Sequence, residues 1–453
     1  MISLSIDEIL EAINGSIYID GKEYNYNSIE TDTRKIKDNC IFIALKGYNF
    51  NGNDFVIDAL KNGSIISIID EIKFNISDVP QGKTIIKVED TKKALLNLAE
   101  HYRQKLNIKV IGITGSTGKT STKDIAAAFF SSKFKVFKTK GNFNNEIGLP
   151  LMIFQLDDSY DVAVLELGMS NLGEIHNLAK VCKPDIAIIT NIGISHIENL
   201  KTRENILKAK MEITDFFSND NILIVNGDND MLKDISSTSY RVLKTSLKNS
   251  CEIKGENLQE DKGNELAFDV VYKEIREGRL TLPLIGTHNV ENALLCYGAA
   301  KELGLNLEDI QEGVKNLECT SMRLEVIKVN DKTIINDCYN ASPDSMKAAL
   351  KVQKNFLGRK VAILGTMKEL GHESKDAHKE IGKFAKECGV DSLIVISEYE
   401  ESFKKGYGKQ NFKAYSSLDE LKKDLSNMLK DEDVILIKAS RSMHFEEIVN
   451  YIK

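Results

Sequence analysis

The chain has 453 residues, of which 42% are hydrophobic and 28% charged, so it can build several packed cores. Its net charge of −7 argues against a binder of duplex nucleic acid, whose footprint is usually basic. Seven cysteines without a C-x-x-C pair indicate neither a disulfide framework nor a zinc site, and they favour a reducing compartment. The first residues are acidic where a signal peptide would be basic, and no apolar run could span a bilayer. We therefore predict a cytoplasmic protein that binds no nucleic acid and does not insert into a membrane.

Residues 1–82 mix short strands with helical stretches. The run "CIFIALKG" is typical of a buried strand, and "DFVIDALKNG" has helical spacing with a terminal glycine. From residue 83 onward, short Val- and Ile-rich runs alternate with helical patterns such as "GEIHNLAKVC" and "RENILKAKMEITDFF". The strand-like runs are "KVIGIT", "DVAVLELG", "DIAIITNI" and "NILIVNGD". Near-continuous apolar strands between helices predict a mostly parallel sheet with crossover helices.

The second half of the chain contains two further changes of pattern. Residues 241–285 are strand-rich, with "ELAFDVVY" and "RLTLPLIG", and a helix over "NVENALLCYGAAKELG" follows them. From residue 312 the alternation of strands and helices resumes and continues to residue 453. We therefore predict an α/β protein with three domains, at residues 1–82, 83–311 and 312–453.

The stretch "VIGITGSTGKTSTKD" joins a predicted strand to a predicted helix through a glycine-rich turn. Gly115 and Gly118 supply the tight turn, Lys119 can reach outer phosphates, and the Thr120 hydroxyl can ligate Mg²⁺. The strict P-loop pattern needs glycine where this chain has Ile113, so the loop is a shortened form. The motif predicts a nucleotide-phosphate site made by Gly115, Ser116, Thr117, Gly118, Lys119, Thr120 and Ser121.

Polar residues follow the next predicted elements. Glu166 ends an apolar strand, where open α/β sheets place their ligands, and a carboxylate there could hold Mg²⁺. In "TKGNFNNEIGLPL", the amides of Asn142, Asn144 and Asn145 could bind a substrate's carboxylate or peptide groups. The residue types alone are equally consistent with a plain Asx-rich loop.

The later part of the chain adds further candidates. Asn289 and Asn292 lie three residues apart on one helical face, which suits recognition of adenine or phosphate. Arg323, beside a short linker, could swing onto a phosphate, and Asp337 suits ribose hydroxyls. The alternative for these residues is a polar hinge followed by a helix cap at Pro343.

The shortened loop, T-G-[ST]-x-G-K-[ST], is the form found in the Mur ligase superfamily, and the chain resembles that superfamily over nearly its whole length. The runs E-L-G-x-x-x-x-G-E-I and D-x-Y-N-A-x-P-x-[SA]-M look like the branch that ligates D-alanyl-D-alanine. The resemblance implies an ATP- and Mg²⁺-dependent ligase that joins D-alanyl-D-alanine to UDP-N-acetylmuramoyl-tripeptide through an acyl phosphate. It implies a small N-terminal α/β uridine-binding unit, a central P-loop ATPase-like domain and a C-terminal Rossmann-like domain. We expect a monomer.

The resemblance also implies roles for individual residues. His196 would coordinate a second Mg²⁺, and a carbamylated Lys210 would help to hold the metal, with Lys208 as the alternative lysine. The implied catalytic residues are Lys119, Glu166, His196 and Lys210. The nucleotide would also contact Asn289, Asn292, Arg323, Asp337 and Tyr339. The implied substrate-binding residues are Asp32, Thr33, Arg34, Asn51, Asn142, Asn144, Asn145, Asn340, Ser440 and Arg441.

Some positions depart from the family's pattern. The N-terminal unit has Asn51 and Asn53 in N-G-N-D-F where D-G-H-x-F is usual, which weakens the predicted contact with the uracil end. Thr366 stands in "LGTMKELG" where an aspartate is usual. Ala439 and Phe445 replace glycine and methionine near the C-terminal "KASRSMHFEE".

Two alternative functions are open to a chain with these motifs. A sister ligase would add a diamino acid or glutamate, but the chain has no D-N-P-R type motif of the diamino-acid enzymes. A nucleotide-gated binding protein without ligation chemistry would not need two metal ions and a carbamate.

Overall fold

The structure is a computed structural model that describes residues 2–22, 24–261 and 265–453. The described residues form three β-sheets, each built from a consecutive part of the chain and packed against helices. Most neighbouring strands are parallel. The predicted α/β class with three sheet-bearing parts is thereby confirmed.

The first sheet has a mostly parallel arrangement. Its strands are β1 (Ser16–Ile19), β2 (Ser28–Glu30), β3 (Cys40–Ile43), β4 (Ser64–Ile69) and β5 (Thr84–Lys87). They run in the order β1-β5-β4-β3-β2, and only the β1–β5 pair is antiparallel. The helices here are α1 (Ile6–Ile13), α2 (Val56–Lys61) and α3 (Thr91–Gln104). Every residue of β3 and β4 is buried, including Ser64 and Ser67 of β4, as expected for strands that are covered on both faces.

The second sheet combines parallel strands with an antiparallel extension at one edge. Its strands are β6 (Lys109–Thr114), β7 (Val136–Lys138), β8 (Val162–Glu166), β9 (Ile186–Ile189), β10 (Ile222–Asn226), β11 (Arg241–Ser246), β12 (Ile253–Asp261), β13 (Glu265–Tyr272) and β14 (Ile275–Leu282). Their order is β14-β13-β12-β11-β10-β9-β6-β8-β7, and β12, β13 and β14 pair antiparallel. The helices are α4 (Lys119–Phe130), α5 (Gly148–Ile153), α6 (Glu174–Cys182), α7 (Ile197–Leu200), α8 (Arg203–Met211), α9 (His288–Glu302) and α10 (Leu307–Val314).

The parallel strands of the second sheet determine where a ligand can bind. Strand β6 lies between β9 and β8, and all three run in the same direction. Their carboxyl ends therefore share one edge of the sheet, and the loops that follow them meet there. The glycine-rich turn and His196 lie in these loops, and Glu166 is the last residue of β8.

The third sheet follows a linker after α10. Its strands are β15 (Glu325–Val329), β16 (Lys332–Asn336), β17 (Lys360–Gly365), β18 (Ser392–Ile396), β19 (Phe412–Ala414) and β20 (Val434–Lys438). They run in the order β15-β16-β20-β17-β18-β19, and only the β15–β16 pair is antiparallel. The helices are α11 (Pro343–Lys354), α12 (Ser374–Glu387), α13 (Glu400–Tyr407), α14 (Leu418–Met428) and α15 (Glu446–Ile452).

The predicted strands and helices agree with the structure at most positions. The helix predicted over "RENILKAKMEITDFF" is shorter than expected, because α8 ends at Met211 and a 3₁₀ turn follows over Glu212–Thr214. The three-residue strands β7 and β19 have no counterpart in the prediction. Within the described part of the chain, none of the helices combines the length and apolar character that crossing a membrane requires.

Candidate active site

The glycine-rich turn leads directly into the first turn of α4. Gly115 has φ +153°, and a Cβ there would lie 1.8 Å from the Thr190 hydroxyl, so only glycine fits. Gly118 has φ +82° and precedes the helix. No side chain of the described residues caps the first backbone N–H groups of α4, so they are available to bind a phosphate. The Lys119 ammonium donates to the Gly115 carbonyl at 2.8 Å.

Two residues after β9 hold the turn in shape. The Asn191 side chain accepts from the Thr117 amide at 2.9 Å and donates to the Thr117 hydroxyl at 2.5 Å. The Thr190 hydroxyl donates to the Thr117 carbonyl at 2.5 Å. Neither Thr190 nor Asn191 was predicted as a site residue, although both lie near the end of the strand-like run "DIAIITNI".

Glu166 lies beside the phosphate loop, as its position at the end of β8 predicted. It is buried, and the Thr120 hydroxyl donates to its Oε2 at 3.1 Å. The Asn144 amide donates to Oε1 at 2.9 Å, so this asparagine orients the carboxylate. A carboxylate and a hydroxyl oxygen at this distance are ligands of the type that Mg²⁺ prefers.

The two candidate lysines of α8 lie in opposite environments. Lys208 is exposed, whereas only 1% of Lys210 is accessible. Among the described residues, the Lys210 amine has no hydrogen-bond acceptor and no ion-pair partner. Burial, and next the nearby charge of Lys119, lowers the pKa of Lys210 well below its usual range. These features favour the neutral amine that carbamylation requires.

His196 precedes α7 and faces the third sheet. Its Nδ1 lies 2.5 Å from Oε2 of Glu369, a close contact that does not have the geometry of an aligned hydrogen bond. Glu369 comes from the loop after β17, and its contact with His196 lowers its pKa. Thr366, near the start of the same loop, departs from the family's pattern, whereas Glu369 was not predicted as a site residue.

A cavity of about 790 Å³ lies between the second and third sheets and contains most of the predicted residues. The central domain contributes the phosphate loop, His196, Asn289 and Asn292 to its lining. The predicted residues that line it from the C-terminal side are Arg323, Asp337, Asn340, Ser440 and Arg441. A ligand in this cavity would therefore touch both parts of the chain.

The C-terminal side of the cavity brings cationic groups toward the phosphate loop. One Arg323 nitrogen donates to the Thr120 hydroxyl at 3.2 Å, and its guanidinium lies 4.0 Å from the centre of the Tyr339 ring. Both carboxylate oxygens of Asp337 already accept hydrogen bonds within the protein. Its Oδ2 accepts from the buried Lys438 ammonium at 2.5 Å, and its Oδ1 accepts from the Leu324 amide at 3.2 Å.

The remaining predicted residues lie outside this cavity. Asp32 accepts from the backbone and guanidinium of Arg34, whose side chain is largely exposed, and Thr33 lies between them. Asn51 donates to Glu71 at 2.8 Å and accepts from Asn53, so its amide is engaged within the domain.

The other two asparagines of the polar turn also lie outside the cavity. Asn142 is exposed, and the side-chain Oδ1 of Asn145 accepts from the amide of Gly148, the first residue of α5, at 2.8 Å. The structure thus gathers the phosphate loop, His196 and the predicted nucleotide residues Asn289, Asn292, Arg323 and Asp337 around one cavity, whose lining does not include Glu166, Lys210 or the predicted N-terminal residues.

The donors near the phosphate loop fit Mg²⁺ better than a metal held by protein ligands alone. No group of three or more His, Cys, Asp or Glu side chains within residues 2–22, 24–261 and 265–453 could hold a metal ion. The oxygens of Thr120 and Glu166 lie instead at the edge of a phosphate-binding loop. Mg²⁺ is commonly bound by one or two protein oxygens together with substrate phosphates and water.

Comparison with known proteins defines the class to which this fold and site belong. Residues 25–103 match the Mur ligase family catalytic domain, residues 113–300 the Mur ligase middle domain, and residues 322–441 the Mur ligase glutamate ligase domain. The chain belongs to the Mur ligase family.

Individual relatives are similar to this chain over nearly its whole length. A UDP-N-acetylmuramoyl-tripeptide--D-alanyl-D-alanine ligase from Bacillus subtilis (strain 168) is 37% identical, over 99% of this chain and 98% of the relative. The crystal structure of MurF from Acinetobacter baumannii superposes with a TM-score of 0.90, at 28% identity, over 99% of this chain and 98% of that one. MurF from Thermotoga maritima, in complex with ADP, gives a TM-score of 0.82 at 28% identity, over 94% and 97% of the two chains.

Proposed function

We propose that this chain is an ATP-dependent amide ligase that joins D-alanyl-D-alanine to UDP-N-acetylmuramoyl-tripeptide. The product is the muramoyl-pentapeptide precursor of peptidoglycan, and ADP and phosphate are released. The observation that carries the proposal is a single inter-domain cavity that contains a phosphate loop and Arg323, with Glu166 bonded to that loop. Full-length relatives that carry this name support it.

The chemistry begins with activation of a carboxylate, which is a poor electrophile. A carboxylate oxygen of the tripeptide attacks the γ-phosphorus of ATP, the bond to the β-phosphate oxygen breaks, and ADP leaves. The amides at the start of α4 and the Lys119 ammonium bind and orient the phosphates during this transfer. Arg323 reaches the same place from the C-terminal side, where it can neutralise charge on the transferring group.

The second step makes the amide. The free amine of D-alanyl-D-alanine attacks the acyl carbon of the acyl phosphate, and the tetrahedral intermediate collapses to the amide, phosphate and a proton. Closure of the cavity from two sides would exclude water, which would otherwise hydrolyse the acyl phosphate.

We propose that Mg²⁺ is the metal that this site requires. Thr120 and Glu166 would hold one ion, and His196 with a carbamylated Lys210 would help to hold a second. When bound, Mg²⁺ would neutralise negative charge on the phosphates and on the developing transition state. Asn144 supports this arrangement because its amide fixes the orientation of Glu166.

We propose the remaining site roles on the pattern of the family. Asn289 and Asn292 would contact the nucleotide base, with Asp337 and Tyr339 nearby on the C-terminal side. The muramoyl-peptide and D-alanyl-D-alanine would contact the polar residues of all three parts of the chain. That set is Asp32, Thr33, Arg34, Asn51, Asn142, Asn144, Asn145, Asn340, Ser440 and Arg441.

We further propose a division into domains at residues 1–82, 83–311 and 312–453, and a monomeric protein that works in the cytoplasm. The second and third sheets each lie within one of these ranges, which supports the later boundary, whereas strand β5 (Thr84–Lys87) of the first sheet lies just beyond residue 82.

Phosphate release in the presence of different acceptors tests the proposed function. Purified protein is given ATP, Mg²⁺ and UDP-N-acetylmuramoyl-tripeptide, together with D-alanyl-D-alanine, a diamino acid or glutamate. We expect sustained phosphate release only with D-alanyl-D-alanine. In a parallel reaction the muramoyl-dipeptide replaces the tripeptide, and phosphate release there with a diamino acid would indicate the sister ligase. Phosphate release that no acceptor increases would reject the ligase function.

A further inference from the structure

The linker between α10 and β15 runs along the phosphate-loop helix α4. The Asn316 amide donates to the Ser131 hydroxyl at 3.0 Å, just beyond the end of α4. Nearer the phosphate loop, the Glu318 carbonyl accepts from the Lys138 ammonium at 3.2 Å. The linker is therefore attached to the central domain before it enters the third sheet.

The strongest attachment is a buried carboxylate in α4. Asp124 is only 4% exposed and lies one helical turn after Thr120, on the same face. Its Oδ2 accepts from the Thr320 amide at 2.8 Å and from the Thr320 hydroxyl at 2.7 Å. Its Oδ1 lies 3.0 Å from the Lys138 ammonium and 3.3 Å from that of the buried Lys123. Two lysines thus balance the charge that holds Thr320.

Contacts with the third sheet begin two residues later. The Met322 amide donates to Glu325 at 3.2 Å, and its carbonyl accepts from the Tyr339 amide at 3.3 Å. Met322 has φ +62° and Leu324 has φ +48°, a left-handed conformation that is uncommon for residues other than glycine. The backbone is therefore strained between its attachment to Asp124 and its attachment to the third sheet.

Arg323 lies within this strained segment, and its guanidinium returns to Thr120. Thr120 and Asp124 are on one face of one helix, so the linker is held one turn away from the group that Arg323 contacts. We infer that Asp124 is a positioning residue, which fixes Thr320 to α4 and so sets where Arg323 meets the transferring phosphate. The inference rests on the proposed ligase function and deepens it.

The test compares the variants Asp124→Asn, Thr320→Val and Arg323→Ala with the double variant Asp124→Asn/Arg323→Ala, in the full chain. We expect Asp124→Asn to lower kcat about tenfold or more, because small misplacements of a positioned group are costly, while KM for ATP changes less than about threefold. Hydrogen exchange at the Thr320 amide should become faster. If Asp124 acts through Arg323, the double variant will be no slower than Arg323→Ala alone.

Asp185→Asn is the matched control, because Asp185 also accepts from a backbone amide, that of Val110, and from a lysine, Lys109, at 2.8 Å each. Asp185 lies just before β9, at the amino ends of the parallel strands and away from the phosphate loop. We expect the kcat of Asp185→Asn to equal that of the wild type. If Asp124→Asn does not fold, the same comparison is made with Thr320→Val and the double variant Thr320→Val/Arg323→Ala.

Two results would overturn the inference: a wild-type kcat in Asp124→Asn, or losses that multiply in the double variant. Wild-type ligation, measured in the same assay, tests the proposed function separately.

Discussion

Nδ1 of His196 lies 2.5 Å from Oε2 of Glu369, and this contact joins a loop of the second sheet to a loop of the third. A second contact reinforces it, because the Glu198 amide donates to the Glu369 carbonyl at 3.2 Å. Glu369 has φ +64°, so its loop is held in an uncommon conformation. The orientation of a proposed metal-binding histidine therefore depends on the position of the C-terminal domain.

Replacing Glu369 tests this dependence. Glu369→Gln keeps the shape of the side chain and removes its charge, so we expect His196 to lose its orientation. The Mg²⁺ concentration for half-maximal activity should rise roughly tenfold, since groups that orient metal ligands commonly contribute 10- to 100-fold to affinity. Glu373→Gln, in the same segment but paired only with His372 within the described chain, is the control. Equal Mg²⁺ dependence in the two variants would contradict this role.

Lys119→Ala tests the phosphate loop. The substitution removes a positive charge that the loop places beside the phosphates, so we expect ligation to fall about a hundredfold or more. Circular dichroism and thermal melting should stay close to those of the wild type. Lys133→Ala, which removes an exposed lysine just beyond the same helix, should keep full activity. Near-normal turnover in Lys119→Ala would reject the assignment of the loop.

Lys210→Ala tests the carbamate. We expect loss of most activity, with partial rescue by short carboxylates in the buffer, because these can occupy the space of the carbamate. Lys208→Ala should have little effect, since Lys208 is exposed whereas Lys210 is buried. Similar behaviour of the two variants, or no rescue by any carboxylate, would contradict the role of Lys210. Mass spectrometry can detect the carbamate itself as an added CO₂.

Much of the nucleotide site was predictable because its residues are close in sequence or follow strand ends. The shortened glycine loop fixed the position of Lys119 and Thr120, and the apolar run before Glu166 placed that carboxylate beside them. The preference for Lys210 over Lys208 came from the resemblance, and the fold adds that Lys210 is buried whereas Lys208, on the same short helix, is exposed.

Contacts between distant segments could not be read from the sequence. Glu369 meets His196 from 173 residues away, and Asp124 meets Thr320 from 196 residues away. No local periodicity encodes such pairs. Asn51 is a further example, because the sequence did not show that its side chain is hydrogen-bonded to Glu71 and Asn53.

His378 supports the segment that carries Glu369 and gives a prediction about pH. Its Nε2 accepts from the Met367 amide at 2.9 Å, and its Nδ1 lies 2.6 Å from the Ser374 carbonyl, which requires a neutral ring. Burial lowers the pKa of His378 below its usual 6.5. The unfolded chain therefore takes up the proton more readily, so this stabilisation is complete above pH 6.5 and is lost as the pH falls toward the folded-state pKa.

Urea unfolding at a series of pH values measures this effect. His378→Gln cannot titrate, so its free energy of unfolding should depend less on pH than that of the wild type below pH 6.5. His372→Gln, at an exposed position nearby, should follow the wild type. Parallel curves for the wild type and His378→Gln would contradict the prediction.

Isotope transfer during a single ligation reaction tests the central claim most directly. The terminal carboxylate of the tripeptide is labelled with heavy oxygen, and both the peptide product and the released phosphate are analysed by mass spectrometry. An acyl-phosphate ligase must move one labelled oxygen into phosphate while D-alanyl-D-alanine is added to the UDP-linked peptide. Unlabelled phosphate, or phosphate released without the pentapeptide product, would contradict the account.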